Sequence, residues 1–61
     1  MPLVTIKLLE GRTLEQKRAM VEKVTQVIVE TTGATPDNVL IDIVHMPRED
    51  FARNGKLISE M

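Results

Sequence analysis

Two apolar runs with the strand period flank one apolar stripe with the helical period, and that order leaves the chain few ways to fold. In Leu3–Leu9, Val4, Ile6 and Leu8 share one face, while Leu3, Thr5, Lys7 and Leu9 share the other. The second face is mixed and not plainly polar, so it also needs cover. Val39–Val44 repeats the pattern. Val39, Ile41 and Ile43 lie on one face and Leu40, Asp42 and Val44 on the other, and Met46 can extend the second set.

Between the runs, Glu10-Gly11-Arg12 breaks the alternation, and Gly11 supplies the backbone freedom for a turn. Thr13-Leu14-Glu15-Gln16 has the form of a capping box, in which the Thr13 hydroxyl accepts from the Gln16 N–H and the Gln16 side chain reaches back. A helix is predicted from Leu14 to about Thr32. Its apolar stripe is Leu14, Val21, Val24, Ile28 and Thr31 or Thr32, with Met20 and Val27 on the flank. Glu15, Lys17, Arg18, Glu22, Lys23 and Glu30 fill much of the remainder, as a solvated face. Gly33 is placed to end the helix in a left-handed conformation. Strand, helix and strand in this order form a β-α-β unit of the α/β (α+β) class, with parallel strands and a right-handed crossover.

Proline and glycine punctuate the rest. Thr35-Pro36 can open one short helical turn, because proline suits the first helical position. Met46-Pro47 ends the second strand, and Pro47–Asp50 is expected as a turn or short helical piece. Asn54-Gly55 between two short stretches predicts a C-terminal hairpin, since both residues tolerate positive φ. So small a hairpin cannot stand alone and must lie on its own subunit or a neighbour.

The 61 residues are expected to form a single domain, residues 1–61. A chain this short buries only about 60% of the surface that its unfolded form exposes. Small domains compensate with disulfides, a metal or association. Cysteine is absent, His45 is the only histidine, and no carboxylate cluster has metal-loop spacing. Association remains, and Leu3, Leu9, Leu40 and Val44 supply an apolar sheet face for it. The expected state is a homo-oligomer, with even assemblies of dimers favoured by symmetry. The net charge of -1 and a single aromatic residue argue against a nucleic-acid partner. No apolar run reaches the ~18 residues of a membrane span. The amino end lacks a signal-peptide pattern, so the expected compartment is the cytoplasm.

The residue inventory narrows the chemistry. There is no cysteine nucleophile, no phosphate-cradling glycine loop and no histidine paired to a nucleophile. His45 reads as a surface or interface residue at a strand end, and Asp42 and Glu10 have no partner for paired-carboxylate work. An amine, several cations and an apolar wall remain. Pro2 follows the initiator methionine and is small enough for Met1 to be removed, which would leave a secondary amine. An ordinary α-amino group titrates near pH ~8. Apolar surroundings or a nearby cation would lower that value and leave the amine free to take a proton at neutral pH. The bland alternative is that Pro2 opens an edge strand, where a missing N–H does no harm. An arginine beside such a base could hold a carboxylate substrate by two parallel hydrogen bonds. The cations available are Arg12, Arg48, Arg53, Lys7 and Lys56, and the apolar wall is Phe51 with aliphatic neighbours.

Pro2 behind Met1, the Leu3–Leu9 strand, the Glu10-Gly11-Arg12-Thr13 turn and Glu15-Gln16-Lys17 resemble the 4-oxalocrotonate tautomerase family, also called 2-hydroxymuconate tautomerases. The similarity runs on through Val39, Met46, Phe51 and Gly55-Lys56-Leu57. The resemblance implies a β-α-β subunit assembled as a hexamer, a trimer of dimers, with no cofactor or metal. It implies Pro2 as the general base that carries a proton from the 2-hydroxyl of a dienol to a distant carbon. It implies Arg12, from a neighbouring subunit, as the carboxylate-binding arginine, and Phe51 as the hydrophobic wall. The family pattern has a second arginine where this chain has Leu40, which cannot bind the other end of a dicarboxylate. Arg53 or Arg48 is left as a replacement. Two alternatives stand beside 2-hydroxymuconate tautomerisation: a related tautomerase for another enol acid such as an enolpyruvate, and a non-catalytic oligomeric binding protein of the same fold.

Overall fold

The computed structural model describes residues 1–61. Strand β1 (Leu3–Leu9) leads into helix α1 (Leu14–Thr32), and a 3-10 turn at Pro36–Asn38 leads into strand β2 (Leu40–Met46). β1 and β2 are parallel, in a register that pairs Leu3 with Leu40 and Leu9 with Met46. The expected β-α-β unit is therefore present. A second 3-10 turn (Arg48–Asp50) precedes the antiparallel hairpin of β3 (Ala52–Arg53) and β4 (Lys56–Leu57).

Local chemistry sets the boundaries. At the start of α1 the Gln16 N–H donates to Thr13 Oγ1 at 3.1 Å, and Gln16 Oε1 accepts from the Thr13 N–H at 2.9 Å. Both halves of the capping box are made. Gly33 closes the helix at φ 77°, its N–H bonded to the Val29 carbonyl at 3.1 Å. Asn54 and Gly55 take φ of 53° and 77°, the left-handed pair that a two-residue hairpin demands.

β2 differs from the expected Val39–Val44 at both ends. The Val39 N–H bonds to the Pro36 carbonyl at 3.3 Å, so Val39 closes the 3-10 turn instead of opening the strand. The ladder starts with the Leu40 N–H, which donates to the Pro2 carbonyl at 3.0 Å. It extends through His45 and Met46 because Leu8 and Leu9 give them register partners.

Val4, Ile6, Ile41 and Ile43 are half-buried on the sheet face under α1, as their alternation predicts. The helix face is rotated from the expected stripe. Met20, Val21, Val24 and Ile28 are half-buried as expected, but Lys17, Thr25 and Val29 join them. Leu14 is 66% exposed, and Val27 is exposed as well. The cause is size: a two-stranded sheet is too narrow to cover every apolar position of a 19-residue helix. Thr31 and Thr32 are exposed, and their hydroxyls donate back to the Val27 and Ile28 carbonyls.

Only Val39 is buried, at 9% exposure. The radius of gyration is 14.7 Å, against roughly 10.5 Å for a compact chain of this length. The hairpin lies against the Arg48–Asp50 turn, its strands exposed. The chain has the secondary structure of a folded protein without a buried core of its own.

Candidate active site

Pro2 stands directly ahead of β1. It is half-buried, its carbonyl is taken by Leu40, and its missing N–H costs nothing at a strand start. The adjoining Leu40 lies opposite Leu3 on the sheet face away from α1.

Arg12 stands past the other end of β1. It is exposed and lines a groove of about 260 Å³ with Leu8, Gln16, Lys17 and Met20. These residues meet because Gln16 and Met20 are one helical turn apart on the side of α1 above Leu8. The seven residues of β1 hold Pro2 and Arg12 apart by about 23 Å at the usual rise of a strand. One chain therefore does not bring the two together.

Charge alone places Lys17 on the solvated helix face. Its stem instead packs in the half-buried row, and its Nζ lies 3.2 Å from His45 Nε2. His45 is exposed at the end of β2 and lines a second groove with Leu14, Lys17, Arg18, Val21 and Ile43. The signal for Lys17 lay in its spacing: it is three and four residues from Met20 and Val21, hence on the packing face.

Phe51 is partly exposed at the base of the hairpin, where its carbonyl accepts from the Ile58 N–H at 2.8 Å. The Arg48 N–H donates to Glu10 Oε1 at 3.4 Å, which ties the turn after β2 to the Arg12 end of the sheet. Arg48 is thus remote from Leu40 within the chain, and Arg53 lies on β3 opposite Lys56. No three His, Asp or Glu side chains come together in an arrangement that could hold a metal ion. No helix is long and apolar enough to cross a membrane.

Comparison with known proteins gives one result from three directions. A family model described as tautomerase enzyme matches residues 2–61. A 2-hydroxymuconate tautomerase of Bacillus subtilis is 51% identical, over 100% of this chain and 98% of the relative. A probable tautomerase of Bacillus cereus is 50% identical, over 98% of each chain. The crystal structure of YwhB, a homologue of 4-oxalocrotonate tautomerase, superposes with a TM-score of 0.93 at 50% identity, covering 98% of both chains. The chain belongs to the tautomerase family, as an isomerase of the 4-oxalocrotonate tautomerase type.

Proposed function

We propose that the chain, freed of Met1, converts a 2-hydroxydienoate such as 2-hydroxymuconate to its conjugated 2-oxo acid, with the Pro2 amine as general base. The amine takes the proton of the 2-hydroxyl. The oxygen electron pair closes the carbonyl, the double bonds shift along the chain, and the distal carbon receives the proton from the same ammonium. Arg12 of a neighbouring subunit holds a carboxylate and polarises the enol, and Phe51 keeps water from the amine. The working assembly is a hexamer, a trimer of dimers, in the cytoplasm. The observation that carries the reading is that the family match opens on Pro2, which the fold holds half-buried at the head of β1. The separation of Pro2 from Arg12 supports a site shared between subunits. The test is an ultraviolet assay with 2-hydroxymuconate on protein whose first residue is Pro2, confirmed by mass. No turnover of it or of any related enol acid would defeat the proposal and leave a binding protein of the same fold.

Leu40 favours a second reading, in which the physiological substrate is another enol acid with a single carboxylate. An arginine at this position would stand beside Pro2 at the end of the sheet opposite Arg12 and Arg48. Leu40→Arg is expected to raise kcat/KM for the diacid roughly ten-fold or more, the scale of a hydrogen bond to a charged group. The monoacid 2-hydroxydienoate should change little. Equal effects on both substrates would indicate repacking, and no effect on the diacid would mean that Arg53, Arg48 or another cation already fills the role.

A further inference from the structure

A groove of about 470 Å³ lies where the first turns of α1 cover the end of β2. Leu14, Lys17, Arg18 and Val21 line it from one face of the helix, and Ile43 and His45 line it from one face of the strand. Half of this lining is aliphatic, and the other half, Lys17, Arg18 and His45, is basic. Glu15 and Glu22, the acids on these turns, do not line it. A pocket with an apolar lining and a few polar groups has the usual form of a small-ligand site.

Lys17 is the member that points to a ligand. Of the eight lysines and arginines it alone is not exposed. Its side-chain partner is His45, a second base, at 3.2 Å. Partial burial raises the cost of its charge, and a base does nothing to neutralise it. Lys17 Nζ carries three N–H groups, and the contact with His45 engages at most one. The remaining donors are best met by an anionic acceptor. The groove is also distinct from the one that Arg12 lines. Leu8 of β1 floors the Arg12 groove, whereas Ile43 and His45 of β2 floor this one, with Lys17 between them.

We infer that this groove is a second binding site, separate from the proposed site at Pro2 and Arg12, for a carboxylate with a short aliphatic body. The carboxylate lies between Lys17 and Arg18 beside His45, and the hydrocarbon runs along Leu14, Val21 and Ile43. That body covers Leu14, which is 66% exposed in the free chain. The inference stands whether or not the chain turns over an enol acid.

Hexanoate is the probe. His45 is the only histidine, so its imidazole resonances report on the groove without overlap. Titration of the chain with hexanoate at fixed pH and low salt should shift them along a saturable curve. Hexanol has the same body without the charge, and it should bind at least roughly ten-fold more weakly. Lys17→Met keeps an unbranched apolar stem and removes the ammonium, so it should weaken hexanoate by roughly ten-fold. Arg18→Gln alters an exposed residue and should weaken it about three-fold, which gives a second reading where Lys17→Met fails to fold. A Met1-retaining chain should bind hexanoate as well as one that begins at Pro2. Absence of a saturable shift, equal binding of hexanol, or undiminished affinity in the folded variants would overturn the site. Loss of binding on retention of Met1 would overturn its separateness and assign the carboxylate to the site at Pro2.

Discussion

A preparation that retains Met1 should lose nearly all tautomerase activity, while the same chain beginning at Pro2 should be fully active. With Met1 present the Pro2 nitrogen is an amide, with its lone pair delocalised into the carbonyl. With Met1 removed it is a secondary amine. General-base catalysis contributes about 10²–10⁴ in rate, so the loss should be at least ~100-fold. The fold makes this a clean comparison. Met1 is 78% exposed, and the first ladder bond uses the Pro2 carbonyl, which removal leaves in place. Both forms should therefore share one melting temperature and one oligomeric state. Pro2→Ala, processed to a primary amine, should fall between them. Only the neutral amine accepts a proton, so kcat/KM of the processed form should decline as pH falls through the amine's titration. The Met1-retaining form should have no such limb. Equal activity in the two forms would rule out the amine base, whatever the assembly.

The elements of this chain were legible because local signals agree with one another. The Thr13–Gln16 box, Gly33 and Asn54-Gly55 each fix a boundary by backbone chemistry that needs no tertiary partner. The start of β2 lies one residue beyond the sequence reading because a β-branched apolar residue suits both a strand and the end of a turn. Only the Val39–Pro36 hydrogen bond decides between them. The helix face departs from the periodic stripe because periodicity gives the direction of a stripe but not the width of the surface beneath it. Two strands leave Leu14 and Val27 exposed and pull Lys17 inward, where its stem packs and its amine meets His45. The candidate site is legible only as residue types. A geometry that joins them is not, because β1 keeps Pro2 and Arg12 at opposite ends of one chain. A site that joins them belongs to an assembly, and no local pattern encodes which ends of which copies meet.

That separation sharpens the expectation for Arg12. Arg12→Ala should lower kcat/KM by roughly 10- to 150-fold, the loss of about 1.5–3 kcal/mol carried by hydrogen bonds to a charged group. Arg12→Lys should recover little, since an ammonium lacks the planar fork that meets both carboxylate oxygens. Stability should change little, because Arg12 is exposed and lies outside both the capping box and the strand ladder. The decisive measurement mixes two defective chains, Arg12→Ala and a Met1-retaining form, unfolded and refolded together in equal amounts. If each site takes Pro2 from one subunit and Arg12 from another, about one quarter of the sites in a random assembly regain both. Activity should then rise to about a quarter of the unsubstituted level, far above either parent. If one chain supplied both residues, no mixed site would be intact and activity would stay at the average of the parents. That outcome, or an unchanged kcat/KM in Arg12→Ala, would remove Arg12 from the proposed site.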